Sequence, residues 1–311
     1  MWTGDFFVQE LVNGLTLGSV YALIAIGYSM VYGILKLLNF AHGEVFMIGA
    51  FVGYGVLVVC GGAVSPMFPI YLLLPFMFLA AMLGAGVLGV VIERFAYRPL
   101  RNAPRIAPLI TALGVSFFLQ NSALLLFTAD FRSYGTFDLD NGALFVKGIH
   151  WGALNISLIR IIVIVTTVSL MAALTVFVSY TRVGKAMRAT AYDREAAAMM
   201  GIDVDRVIVI AFFIGSALAG AAGVMVGLVF QRVYHFMGFA AGLKGFTAAV
   251  VGGIGSIPGA MLGGMVIGLA EAFATGYLSS TFYDLIVFGI LIAVLIVRPT
   301  GLLGKADIKK V

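Results

Sequence analysis

Long apolar runs separated by short polar ones make up the whole chain. Continuous apolar stretches occur near residues 11–33, 45–60, 70–92, 107–127, 158–179, 207–231, 236–253, 258–276 and 283–298. A helix that crosses a bilayer needs about 20 mostly apolar residues, because lipid offers its backbone no hydrogen-bond partner. The stretches approach that size; those at 45–60 and 236–253 are short, and the latter also holds Lys244. The pattern predicts an all-α fold, a polytopic transmembrane helical bundle of eight or nine spans. The runs are continuous and do not alternate at every second residue, which disfavours a β-barrel. Residues 1–10 carry Asp5 and Glu10 and no basic start. The first span is therefore expected to act as the insertion signal, with no cleaved leader.

Composition agrees with the pattern. Of 311 residues, 62% are hydrophobic and 11% charged, with a mean hydropathy of +1.09. Soluble domains carry about 25% charged residues, so a soluble fold, a disordered chain and a nucleic-acid-binding module are all poor fits. The single cysteine, Cys60, rules out an intrachain disulfide. Basic residues collect in three places: Arg94, Arg98, Arg101 and Arg105; Arg182, Lys185, Arg188, Arg194 and Arg206; and Lys305, Lys309 and Lys310. Such segments stay on the cytoplasmic side. Two spans separate the first cluster from the second, which agrees with both lying inside. In the loop near 128–157, Asp130, Asp138 and Asp140 offset Arg132 and Lys147, so it is expected outside. The net charge of +5 follows from the cytoplasmic loops and needs no nucleic-acid partner. The number of crossings after 206, and with it the side of the C-terminus, stays open. The glycine-rich run 252–259 is the expected place for a broken or re-entrant helix.

Many of the 39 glycines lie four apart: Gly14/Gly18, Gly49/Gly53, Gly223/Gly227, Gly238/Gly242 and Gly264/Gly268. In lipid this spacing lets helices approach closely. Gly84-Ala85-Gly86-Val87-Leu88-Gly89 matches a dinucleotide fingerprint, but it lies inside an apolar span and reads as helix packing. His42, His150 and His235 are not spaced as metal ligands, and no Walker A motif or serine-hydrolase motif is present. An enzyme is therefore not expected. If ATP drives the protein, another chain must bind it.

Polar residues at membrane depth are costly and usually face a cavity or a partner. The first such cluster is Lys36, Asn39, His42 and Glu44, read either as irregular backbone lining a pathway or as an interfacial turn. Lys244 and Glu271 are read either as a pair across helices or as side chains reaching water from helix ends. The segment Arg182–Arg206 is rich in helix formers. Asp193 or Thr190 is expected to cap a helix containing Glu195, and Gly201 to end it in the left-handed conformation. The resulting helix–turn unit, with an exposed Ala/Met face, suits either docking into a groove on another protein or resting on lipid headgroups.

Glu195-Ala196-Ala197, followed after three residues by Gly201, resembles the EAA motif of ABC-importer permeases, although the downstream Pro of the fuller pattern is absent from Ile202–Arg206. Residues Gly14–Leu23, Met30–Gly33, Asn39–Glu44, Gly252–Ala260 and Arg298–Gly304 resemble, in the same order, the LivH-type permease of branched-chain amino acid ABC importers. The resemblance runs from about residue 10 to the C-terminus. It implies a single permease domain over 1–311, with a cytoplasmic coupling segment within 180–206, in a bacterial inner membrane. The implied partners are a second homologous, LivM-like permease, two LivG/LivF-like ATP-binding subunits and a periplasmic substrate-binding protein. No cofactor belongs to this chain; ATP is used by the partner subunits. On this resemblance Arg188 and Glu195 contact the ATPase, Ala196 and Ala197 keep the helix thin, and Gly201 sets the turn. Asn39, His42, Glu44, Gly253 and Ser256 are the expected pathway residues. The implied cargo is leucine, isoleucine and valine. Urea, short amides or another small polar solute on the same architecture, or a self-contained secondary transporter or channel, are the alternatives.

Overall fold

The computed structural model describes residues 4–61, 69–101, 103–104, 106–135, 148–151 and 154–304. Of the residues used to orient the chain, Arg105, Asp138, Asp140, Lys147, Lys305, Lys309 and Lys310 lie outside these. The helices run in the order α1 (Gly4–Leu35), α2 (His42–Val59), α3 (Ile70–Ile92), α4 (Ile106–Phe127), α5 (Leu158–Tyr180), α6 (Arg182–Tyr192), α7 (Arg194–Met199), α8 (Val204–Phe230), α9 (Met237–Gly252), α10 (Ile257–Phe273) and α11 (Tyr283–Val297). Helical turns of other pitch prolong α3 to Leu100 and α10 to Leu278. Seven of these segments are long and apolar enough to cross a membrane: α1, α2, α3, α4, α5, α8 and α10. α9 and α11 are apolar but shorter, at 16 and 15 residues. The protein is a multi-pass helical bundle.

α1 starts earlier than its apolar stretch. Asp5 sits in its first turn, where a negative charge meets the positive end of the helix dipole. Gln9, Glu10 and Asn13 bond to one another along its surface, so these polar residues prolong the helix. From Gly18 to Val31 every residue of α1 is buried, as expected of a helix that is apolar all round and packed at the centre of a bundle. α10 runs antiparallel along it: Gly264 faces Ala22 and Gly268 faces Gly18. α8 is the second central helix, with α2 and α3 against it. Outward-facing apolar residues are concentrated on the peripheral helices: Ile110, Phe117 and Leu125 on α4, Val165 and Val176 on α5, and Leu285 and Ile296 on α11. Such surfaces face lipid or another membrane subunit.

Two short antiparallel strand pairs depart from a purely helical fold. β1 (Arg132–Ser133) pairs with β4 (Arg232–Val233), and β2 (Gly148–Trp151) with β3 (Leu154–Ser157). The first pair ties the chain after α4 to the chain after α8. Beside it Tyr134 reaches into the bundle, and its hydroxyl donates to the Ala50 carbonyl at 2.7 Å. Burial pushes that phenol well above the usual range.

All five glycine pairs lie at helix contacts. A Cβ on Gly49 would lie 3.0 Å from the Gly220 carbonyl oxygen, and one on Gly14 would lie 2.8 Å from the Leu269 Cα. The dinucleotide-like run is helix packing too. Gly84, Gly86 and Gly89 lie on α3 against Val52, Phe213 and Ser216.

Candidate coupling and translocation site

The segment between α5 and α8 is two short helices joined at one residue. Thr181 begins α6, its Oγ1 accepting from the Gly184 amide at 3.0 Å. Asp193 ends α6 and begins α7, and its Oδ1 accepts from the amides of Glu195 and Ala196 at 3.1 and 3.0 Å. The cap is therefore Asp193. Thr190 is buried within α6, where its hydroxyl donates to the Ala186 carbonyl. Gly201 ends the unit at a φ of +82°, and the amides of Gly201 and Ile202 return to the carbonyls of Ala198 and Ala197. This closure of α7 by a left-handed glycine is the one expected from sequence.

The expected coupling residues divide by environment. Glu195 and Ala196 are exposed, as are Met199 and Met200 at 82% and 83%. Ala197 is buried and seats α7 on the bundle. Arg188 lies on α6, and its guanidinium donates back to the Val178 carbonyl at the end of α5.

Sequence reasoning missed Arg194. It sits in the first turn of α7, where the helix dipole disfavours a cation; that misplaced charge was the available signal. Its Nε donates to the Ile34 carbonyl at 2.8 Å, so the segment grips the end of α1. Burial, and then the neighbouring Arg101 guanidinium, draw Arg194 below the ordinary arginine range. A second tie runs from the end of α3 to α8: Arg98 pairs with Asp205 at 2.8 Å, and Arg101 bridges Asp205 and the fully buried Glu93.

Asn39, His42 and Glu44 come together where α2 begins, and each is at most 2% exposed. Asn39 Oδ1 accepts from the Ala41 amide and from the Tyr97 hydroxyl, at 3.1 and 3.2 Å, shaping the turn into α2. The His42 ring lies edge-on to Tyr28, 4.8 Å between centroids, against Gly27 of α1. Glu44 Oε1 accepts from Gln120 at 2.7 Å and Ser116 at 3.2 Å, both midway along α4. Glu44 Oε2 and His42 Nε2 are buried without a hydrogen-bond partner among the described residues. Lys36 stands apart, exposed, at a left-handed φ of 54° beyond the end of α1.

Gly253 and Ser256 form the turn between α9 and α10. Gly253, at a φ of +109°, is buried against Gly301 and Gly304. The amides of Leu302 and Leu303 close the last carbonyls of α9, at Val251 and Gly252. Ser256 caps α10 by accepting from the Gly259 amide at 3.2 Å. Gly255 faces Gly33 of α1. Three of the segments that carry the family resemblance thus meet at one corner. Lys244 and Glu271 pair across α9 and α10 at 2.7 Å, with the Tyr21 hydroxyl donating to Glu271 at 2.9 Å and Asp284 3.3 Å from the Lys244 Nζ.

The branched-chain amino acid transport system permease component family matches residues 10–296. The chain is 45% identical to the high-affinity branched-chain amino acid transport system permease protein LivH of Salmonella typhimurium over 98% of both chains. The LivH protein of Escherichia coli K12 gives the same identity and coverage. BraD of Pseudomonas aeruginosa, named as a permease of the same kind, is 44% identical, again over 98% of both chains. The chain belongs to the family of branched-chain amino acid transport system permease components.

Proposed function

We propose that this chain is the membrane-spanning subunit of an ATP-driven importer that passes leucine, isoleucine and valine from a periplasmic binding protein to the cytoplasm by alternating access. The observation that carries the mechanism is the α6–α7 unit. It presents Glu195, Ala196, Met199 and Met200 outward while Arg194 grips the end of α1 and the chain runs on into α5 and α8. A push on α7 then reaches both the central and the peripheral helices. Packed helices with two arrangements turn a small displacement into a discrete switch.

In this reading two ATP-binding subunits bear on Glu195 and Ala196, Ala197 and Gly201 hold the docking helix in place, and Arg188 stiffens the joint with α5. A second, homologous permease completes the pathway. The nest of Asn39, His42 and Glu44 and the turn at Gly253–Ser256 are the joints about which the flanking helices tilt. Counting α9 and α11 as crossings gives nine spans. The segments 93–106 and 180–206 and the tail then share the cytoplasmic side of a bacterial inner membrane, as positive charge requires.

The test is uptake of radiolabelled leucine and urea in cells lacking the native systems. Permeases, ATPases and binding protein are expressed together, with and without Glu195→Arg. Leucine uptake that is lost in the variant while the protein remains in the membrane is the expected result. Uptake of urea but not leucine would overturn the substrate. Unchanged uptake in the variant would overturn the coupling role.

A further inference from the structure

The end of α1, the start of the link between α3 and α4, and the joint of α6 and α7 line a partly open cavity of about 350 Å³. Its described lining carries three cations, Lys36, Arg101 and Arg194, and no acidic residue. They come from three separate segments, so no local sequence pattern brings them together. Arg101 is committed to Glu93 and Asp205, and its buried Nε has no hydrogen-bond partner among the described residues. Arg194 gives its Nε–H to the neutral Ile34 carbonyl. Lys36 lies 5.7 Å from the centroid of the Tyr32 ring, and its left-handed backbone is a sparsely populated conformation of the kind found at ligand sites. Asp193, next in the chain to Arg194, turns a carboxylate oxygen onto the α7 amides. Lys36 and Arg194 therefore bring positive charge to a space with no carboxylate in its described lining, while the charge of Arg101 is offset by Glu93 and Asp205.

We propose that this cavity binds the phosphate of an anionic phospholipid headgroup from the cytoplasmic leaflet. Guanidinium groups match phosphate oxygens in a fork, and basic pockets between membrane helices on that side hold such headgroups. The rest of the lining includes Leu37, Leu100 and Pro108. From there α4 continues with exposed Ile106, Ile110 and Phe117, a surface on which acyl chains can lie. A bound headgroup bridges α1, the α3–α4 link and the coupling segment. Free phosphate shares this chemistry, and the experiment separates the two sources.

The full-length chain, purified in mild detergent and delipidated, is offered phosphatidylglycerol, phosphatidylcholine or inorganic phosphate and examined by native mass spectrometry. Phosphatidylglycerol is expected to be retained about tenfold better than phosphatidylcholine, a difference of about 1.4 kcal/mol. Lys36→Gln is expected to reduce that preference several-fold, and Lys36→Gln with Arg194→Gln to abolish it. Lys36 is exposed, so the single variant tests the site even if loss of Arg194 disturbs α1. Displacement of the lipid by inorganic phosphate would overturn the lipid source in favour of a soluble anion. Equal retention of both lipids, or a preference unchanged in Lys36→Gln, would overturn the site.

Discussion

Lys244 and Glu271 differ in what each leaves behind when the other is removed, and the difference can be measured. Both side chains are 11% exposed, so solvent screens their 2.7 Å contact little. Lys244→Met strands the Glu271 carboxylate with the Tyr21 hydroxyl as its remaining partner. Removing one member of a buried ion pair costs about 3–5 kcal/mol. Glu271→Gln leaves Lys244 with Asp284 at 3.3 Å and with the Tyr283 ring, 4.1 Å from its centroid. A desolvated cation over an aromatic face is worth about 2 kcal/mol, so this variant should lose only about 1–3 kcal/mol. With both changes no buried charge is left unpaired, since Asp284 is half exposed, and the double variant should be more stable than Lys244→Met alone. The assay is reversible unfolding by dodecyl sulfate in mixed micelles, followed by circular dichroism. Equal losses for the two single variants, or strictly additive losses in the double variant, would rule out this asymmetry. Leucine uptake by the double variant adds a functional arm. Retained uptake makes the pair structural, whereas lost uptake in a folded protein would favour a charge-coupled secondary transporter.

Backbone contacts and α7 can be tested in the same way. Gly49→Leu should abolish recovery of monodisperse protein by size exclusion, because the side chain meets the backbone of Gly220; Gly114→Ala, with open space around it, should elute like the parent. Asp193→Ala should cost about 0.5–2 kcal/mol of local stability, fray α7 and lower uptake while leaving the amount of protein in the membrane unchanged on immunoblots. Gly201→Ala meets no neighbouring atom but must adopt a φ of +82°; a strain of about 1–2 kcal/mol should give a partial loss of uptake that Gly201→Asn softens.

The helices were legible because apolar runs in lipid have few alternatives. The glycine pairs and the dinucleotide-like run were legible for the same reason: inside a span, closely spaced glycines belong to helix contacts. The caps at Asp193 and Gly201 could also be read, since both act within a few residues of themselves. Contacts between distant segments escaped. Nothing near Arg194 in sequence points to Ile34, 160 residues away, and nothing near Gly253 points to Gly304. The depth of Asn39, His42 and Glu44 stayed open between a pathway lining and an interfacial turn, because a polar cluster between two apolar runs is compatible with both. It becomes a buried nest only when Ser116 and Gln120, halfway along α4, supply its partners. The short strands β1 and β4 were missed because two residues each carry no alternation to detect.

In the proposed importer α7 carries the work of ATP hydrolysis into the bundle. Its most direct test is the amount of leucine imported per ATP hydrolysed by the whole importer in proteoliposomes, compared between the parent and Glu195→Arg. The variant is expected to assemble in the membrane but to import little leucine for the ATP it consumes, or to lose stimulation of hydrolysis by the loaded binding protein. The same leucine-to-ATP ratio and the same stimulation as the parent would contradict it.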